Sequence, residues 1–167
     1  RQNLVRFCPL FADPEETQTM ANDAADTVVA PPSPLLALTE LPRALLEFGM
    51  LPWAAPALAS VPHGDGHPVL VIPGFNASDK STRILRFYLR RLGYDVHGWD
   101  LGRNRGPRSI GSEGEKLIAR LEAIHAAEGR RVSVVGWSLG GIMARVIAHR
   151  RPAMVRQVIT LGAPFSG

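Results

Sequence analysis

Cysteine is nearly absent from this 167-residue chain, where Cys8 stands alone. That absence excludes a disulfide scaffold and a cysteine-based zinc site. Lysine is almost as scarce, at Lys80 and Lys116, so arginine supplies nearly all of the 19 basic residues. No run of about 18 uninterrupted apolar residues occurs, which argues against a spanning helix. Beyond Ser138 there is no Asp or Glu, and the one histidine is His149. What is present, 46% hydrophobic and 20% charged residues, is enough to bury a core and excludes disorder throughout. Net charge is +4 and the pI about 10.0, which permits attraction to anions. The arginines are dispersed along the chain rather than gathered in one block, so no nucleic-acid partner is expected.

Residues 1–34 lack periodicity, and Pro31-Pro32-Ser33-Pro34 reads as stiff, extended and poorly ordered. Met20 is a plausible natural start, which would make residues 1–19 upstream sequence. Residues 35–67 read as a helical arm and loop docked on the domain, with Leu41, Leu45, Leu46 and Phe48 amphipathic and Pro42 near the first turn. Ala57-Leu58-Ala59 resembles a signal-peptidase site. Glu40 and Glu47 flank the apolar stretch, however, and the residues after Met20 are acidic, so a cytoplasmic location is expected.

From Pro68 the pattern becomes regular. Val69-Leu70-Val71-Ile72 is a β-branched apolar run ending at Pro73-Gly74, as a strand buried on both faces requires. A helix is expected over 79–92, with Ile84, Leu85, Tyr88, Leu89 and Leu92 inward and Arg83, Arg86 and Arg90 on a solvated face. A weaker strand follows at 94–99. A helix marked by Leu117, Ile118, Leu121 and Ile124 closes near Gly129. The third strand covers 131–135, the third helix 139–150 and the fourth strand 155–161. Strand and helix in alternation predict an α/β fold, a parallel sheet with right-handed crossovers and helices on both faces. Ligands of such sheets sit beyond the carboxyl ends of the strands, here at Gly74-Phe75-Asn76, Asp100-Leu101, Gly136-Trp137-Ser138 and Gly162-Ala163-Pro164.

Gly136-Trp137-Ser138-Leu139-Gly140 is a G-x-S-x-G pattern between an expected strand and an expected helix. An abrupt strand-to-helix reversal strains the backbone at Ser138, and side chains two positions away would collide with the neighbouring strand or helix. The hydroxyl is then lifted to the sheet's carboxyl edge, at the positive end of the following helix.

With three segments in this order, residues 68–167 resemble the amino-terminal part of the α/β-hydrolase superfamily, in its bacterial lipase and esterase branch. The segments are Val69 to Phe75, Gly136 to Arg145, and Thr160-Leu-Gly-Ala-Pro-Phe-Ser-Gly167, similar to a T-x-G-x-P-x-x-G stretch of many lipases. Pro73 and Trp137 replace histidines common in that branch, which bears on acyl preference rather than chemistry. The resemblance implies Ser138 as nucleophile, with the backbone N–H groups of Phe75 and Leu139 as the oxyanion hole. It implies a carboxylic ester substrate, lipid-like or otherwise apolar, bordered by Trp137, Asn76 and Phe75. It implies no cofactor and no metal.

The branch follows its serine with an acid and then a histidine. His149 falls in the same expected helix as Ser138, roughly 16 Å along its axis, too far to be the base. The expectation is therefore a chain truncated before its acid and histidine, inactive alone. Asp100 and His97, the possible substitutes, read as a loop or helix-cap residue and a strand-face residue. His63-Gly-Asp65-Gly-His67 could ligate a metal but reads as a loop, and Arg103, Arg105 and Arg108 read as a loop that could meet an anionic group. Acyl transfer and thioester hydrolysis use the same elbow. The alternative from another class is a non-catalytic binding protein of this fold with a basic surface.

Overall fold

The computed structural model describes residues 34–163. Residues 1–33 of the expected extended stretch, and residues 164–167 of the third lipase-like segment, lie outside them; Pro34, expected to be extended, opens a helix. The described residues fall in two compact units, 34–62 and 63–163.

The first unit holds helix α1 (Pro34–Gly49) and helix α2 (Leu51–Ala59). Pro42 sits in the interior of α1 rather than in its first turn, because the helix begins at Pro34. An i,i+4 pair joins Arg43 to Glu47 at 3.0 Å. Leu38, Leu45, Leu46, Phe48 and Trp53 are exposed. No helix among the described residues is long and apolar enough to cross a membrane.

The second unit contains strands β1 (Pro68–Ile72), β2 (Asp95–Gly98), β3 (Val132–Trp137) and β4 (Val155–Leu161), joined by helices α3 (Arg83–Arg91), α4 (Pro107–Ile110), α5 (Glu115–Glu128) and α6 (Leu139–Arg150). The strands pair in parallel in the order β2-β1-β3-β4. Strand side chains alternate between faces, and the core divides accordingly. Leu70, Ile72 and Val134 join Leu117, Leu121 and Ile124 of α5 and Met143 and Ile147 of α6 in one buried cluster. Val69, Val71, Val96 and Val135 form the other, against Leu85 and Leu89 of α3. Each buried Val, Leu or Ile side chain contributes about 1.5–3 kcal/mol, so β1, buried at all five positions, anchors the sheet. β4 is an edge strand, largely exposed beyond Val155.

Two expectations about α3 need correction. The helix starts at Arg83 rather than at residue 79, because Asp79 uses its carboxylate elsewhere: it accepts the Trp99 and Asp100 amides at 3.1 Å each. Ile84 is exposed, and Arg86 turns partly inward to donate to the Asp79 carbonyl at 2.7 Å. The aliphatic stem of arginine tolerates such a position when its head finds an acceptor.

Candidate active site

Three non-glycine residues among those described have positive φ, and each follows a strand: Asn76 after β1, Asp100 after β2 and Ser138 after β3. Ser138, at φ 51° and ψ −120°, joins β3 directly to α6. A non-glycine residue there costs on the order of 1–3 kcal/mol, so the surroundings must hold it in place. The Ser138 amide donates to the Leu161 carbonyl of β4 at 2.9 Å, and its carbonyl accepts from Gly141 at 2.8 Å.

The glycines around the elbow are a packing requirement. A Cβ at Gly140 would lie 2.5 Å from the Ile72 carbonyl oxygen and 2.7 Å from that of Pro73. A Cβ at Gly136 would overlap the Gly140 peptide. The start of α6 can therefore press against the end of β1, which brings the Pro73–Phe75 corner beside the elbow. A Cβ built on Gly74 would stand 3.3 Å from the Trp137 carbonyl oxygen and 3.4 Å from Ser138 Cβ.

Ser138 and Leu139 are half-buried, while Phe75 (68%) and Trp137 (48%) expose apolar rings to solvent at this edge. Among the described residues, neither the Phe75 amide nor the Leu139 amide donates a hydrogen bond. For Leu139 this follows from its place as the first residue of a helix. Asn76 is exposed and accepts from Arg103 Nη1 through Oδ1 at 3.2 Å.

Sequence reasoning missed Asn104. It is fully buried, donates through Nδ2 to the Pro73 carbonyl at 2.8 Å and accepts the Gly106 amide through Oδ1 at 3.0 Å. Its backbone pairs with Asn76 at 2.6 Å and Ala77 at 2.7 Å. One side chain thus ties the β1 turn to the loop before α4. The signal available was a lone Asn among Arg103, Arg105 and Gly106.

Among the described residues, none of the remaining candidates bonds to the Ser138 side chain. His149 is exposed in the last turn of α6. Asp100 pairs with Arg120, and His97 Nε2 lies 3.0 Å from Asp95 Oδ2. Arg103, Arg105 and Arg108 are exposed, and Arg90 donates to the Val96 carbonyl at 2.6 Å. Among the described residues, no histidine or carboxylate hydrogen-bonds to the Ser138 hydroxyl.

A serine–histidine–carboxylate chain does exist, at the opposite end of the sheet. His67 Nδ1 meets Asp65, and its Nε2 lies 2.8 Å from Ser133 Oγ. His67 and Ser133 are buried, and the Tyr94 ring stands edge-on to His67 at 4.9 Å. Arg156 donates to Asp65 at 2.9 Å. The His67 hydrogen bond, then that from Arg156, hold the Asp65 carboxyl well below the usual carboxylate range. The His63–His67 loop, weighed in the sequence as a metal ligand set, contributes an internal polar network between β1 and β3.

No family model matches the chain. A triacylglycerol lipase from Pseudarthrobacter phenanthrenivorans is 28% identical over 108 residues, covering 60% of this chain and 34% of the relative. A triacylglycerol lipase from Burkholderia plantarii is also 28% identical over 108 residues, covering 60% of this chain and 30% of the relative. The mature form of Bacillus licheniformis lipase BlEst2 superimposes with a TM-score of 0.50 at 26% identity, covering 63% of this chain and 44% of that one. The chain spans about a third of the length of the curated relatives it matches. Over this region it is related to the lipases and esterases, and its four-stranded sheet is an incomplete α/β-hydrolase-like fold.

Proposed function

We propose that the whole protein hydrolyses carboxylic esters and that Ser138 is its nucleophile. The observation that carries this is the strained, half-buried Ser138 between β3 and α6, packed so near the Gly74 corner that a Cβ built on Gly74 would stand 3.4 Å from Ser138 Cβ. In the proposed reaction the Ser138 oxygen attacks the ester carbonyl carbon as a base takes the hydroxyl proton. The carbonyl oxygen, now negative, is received by the Phe75 and Leu139 amides, at the positive end of α6. Collapse expels the alcohol, protonated by the same base, and leaves an acyl-enzyme that water hydrolyses in the reverse order. Phe75 and Trp137 give the acyl side an apolar border suited to lipid-like esters, consistent with relatives named as triacylglycerol lipases. Asn104 acts on the turn and not on substrate: its bonds to the residue 73–77 corner fix where the Phe75 amide stands.

A serine hydroxyl needs a base, and none bonds to Ser138 among the described residues. The 167-residue chain alone is therefore expected to turn esters over hardly at all. The test is hydrolysis of p-nitrophenyl butyrate by the full-length natural protein and its Ser138→Ala variant. The variant should lose at least about 1,000-fold in kcat. Retention of activity within a few fold would overturn the assignment.

A further inference from the structure

The 63–163 unit pairs its acids with arginines almost throughout. Asp65 meets Arg130 and Arg156, Asp79 meets Arg86, Asp100 meets Arg120, Glu113 meets Arg150 and Glu122 meets Arg151. Glu115 accepts a backbone amide. Asp95 and Glu128 depart from this pattern: among the described residues no arginine bonds to either. They stand together, and His97, whose Nε2 lies 3.0 Å from Asp95 Oδ2, stands with them. One ligand atom from each of Asp95, His97 and Glu128 lies within 4.8 Å of the other two.

The fold brings these three residues together for simple geometric reasons. Asp95 and His97 are two apart on β2 and share a face, the one that Trp99 continues into the cluster with Ile124 of α5. Glu128 lies one helical turn beyond Ile124, in the last turn of α5, and so projects toward that same strand. The two arginines that follow α5 are engaged elsewhere, Arg130 with Asp65 and Arg131 with the Val155 carbonyl. Two carboxylates and the negative end of a helix thus converge in a molecule of net charge +4. A cation between the two carboxylates would offset their mutual repulsion and the charge of the helix end.

We infer that Asp95, His97 and Glu128 bind a divalent transition-metal ion, of which zinc is the best fit. One imidazole with two carboxylates is a borderline donor set, which suits zinc better than calcium or magnesium. Ligand atoms around tetrahedral zinc stand about 3.3 Å apart, so the three groups would have to close by about 1.5 Å at most, and the Asp95 and Glu128 side chains are partly exposed. The site belongs to the amino-terminal end of the sheet, since Asp95 pairs with Pro68 at the start of β1, while Ser138 follows the last residue of β3. Its role is to clip the end of α5 to the edge strand β2, and it does not depend on the ester-hydrolase reading.

The test is calorimetric titration of the untagged, chelator-stripped chain with zinc chloride at neutral pH. The expected result is one ion per chain with micromolar affinity or tighter, at least tenfold weaker in both His97→Asn and Glu128→Gln. Cobalt should bind at the same stoichiometry, with the visible absorption of a tetrahedral site that both variants lose. Glu128→Gln should melt like the parent without metal and lose the upward shift that zinc gives the parent. No binding, or equal affinity in parent and both variants, would overturn the assignment.

Discussion

β3 begins beside one serine and ends beside another, and the proposed reaction falls to the second. Ser133, second in the strand, has a histidine and a carboxylate in line behind it, yet it is 1% exposed and its backbone is locked in the ladder between β1 and β4. Ser138, just past the strand, has no such partner among the described residues but has a strained backbone, partial exposure and two undonated amides at hand. A hydrogen-bonded relay can be internal scaffolding. An attacking serine also needs a substrate-accessible position and donors placed where negative charge will develop. The carboxyl edge of the sheet supplies both of these, and the amino edge supplies neither.

The contrast can be broken most forcefully at the elbow glycines. Gly140→Ala forces a Cβ to 2.5 Å from a main-chain carbonyl that cannot move without shifting β1. A loss of about 3 kcal/mol or more is expected in urea unfolding, with Gly136→Ala comparable. A loss under about 0.5 kcal/mol would mean that the elbow is loose.

A smaller effect is expected at the amino edge. Ser133→Ala strips the buried His67 Nε2 of its partner and should cost roughly 1–3 kcal/mol, while leaving the ester hydrolysis of the full-length protein within about twofold. Asp65 makes that edge pH-dependent. Its folded-state carboxyl is held below its unfolded value by His67 and Arg156, so its stabilisation is present above about pH 4 and fades as the pH falls. Asp65→Asn should therefore lower Tm at pH 7 and converge with the parent in acid, by a modest amount because the carboxylate is half exposed to solvent. Equal melting at both pH values would remove the ion network from the account.

The carboxyl edge of the sheet was largely legible in the sequence, because its signals are local. The β-branched run before Pro73-Gly74 marks the end of β1, and α6 and β4 occupy the expected residues, while β3 runs through Gly136 to Trp137, two residues past its expected end. The amino edge was not legible, because it depends on register. Nothing near Ser133 announces a histidine 66 positions away; only the pairing of Val69 with Ser133 brings His67 to it. Asn104 stayed hidden for the same reason, since its partners are peptide groups of a distant turn. The start of α3 was misjudged because Asp79, a good opening residue for a helix, serves the amides at the end of β2 instead.

The central claim is that Ser138, and not Ser133, is the reacting hydroxyl. The most direct test is mass spectrometry of the full-length protein after treatment with a fluorophosphonate, to locate the adduct. The account predicts a single adduct on the peptide containing Ser138, absent in Ser138→Ala and retained in Ser133→Ala. An adduct on Ser133, or labelling that survives Ser138→Ala, would contradict it.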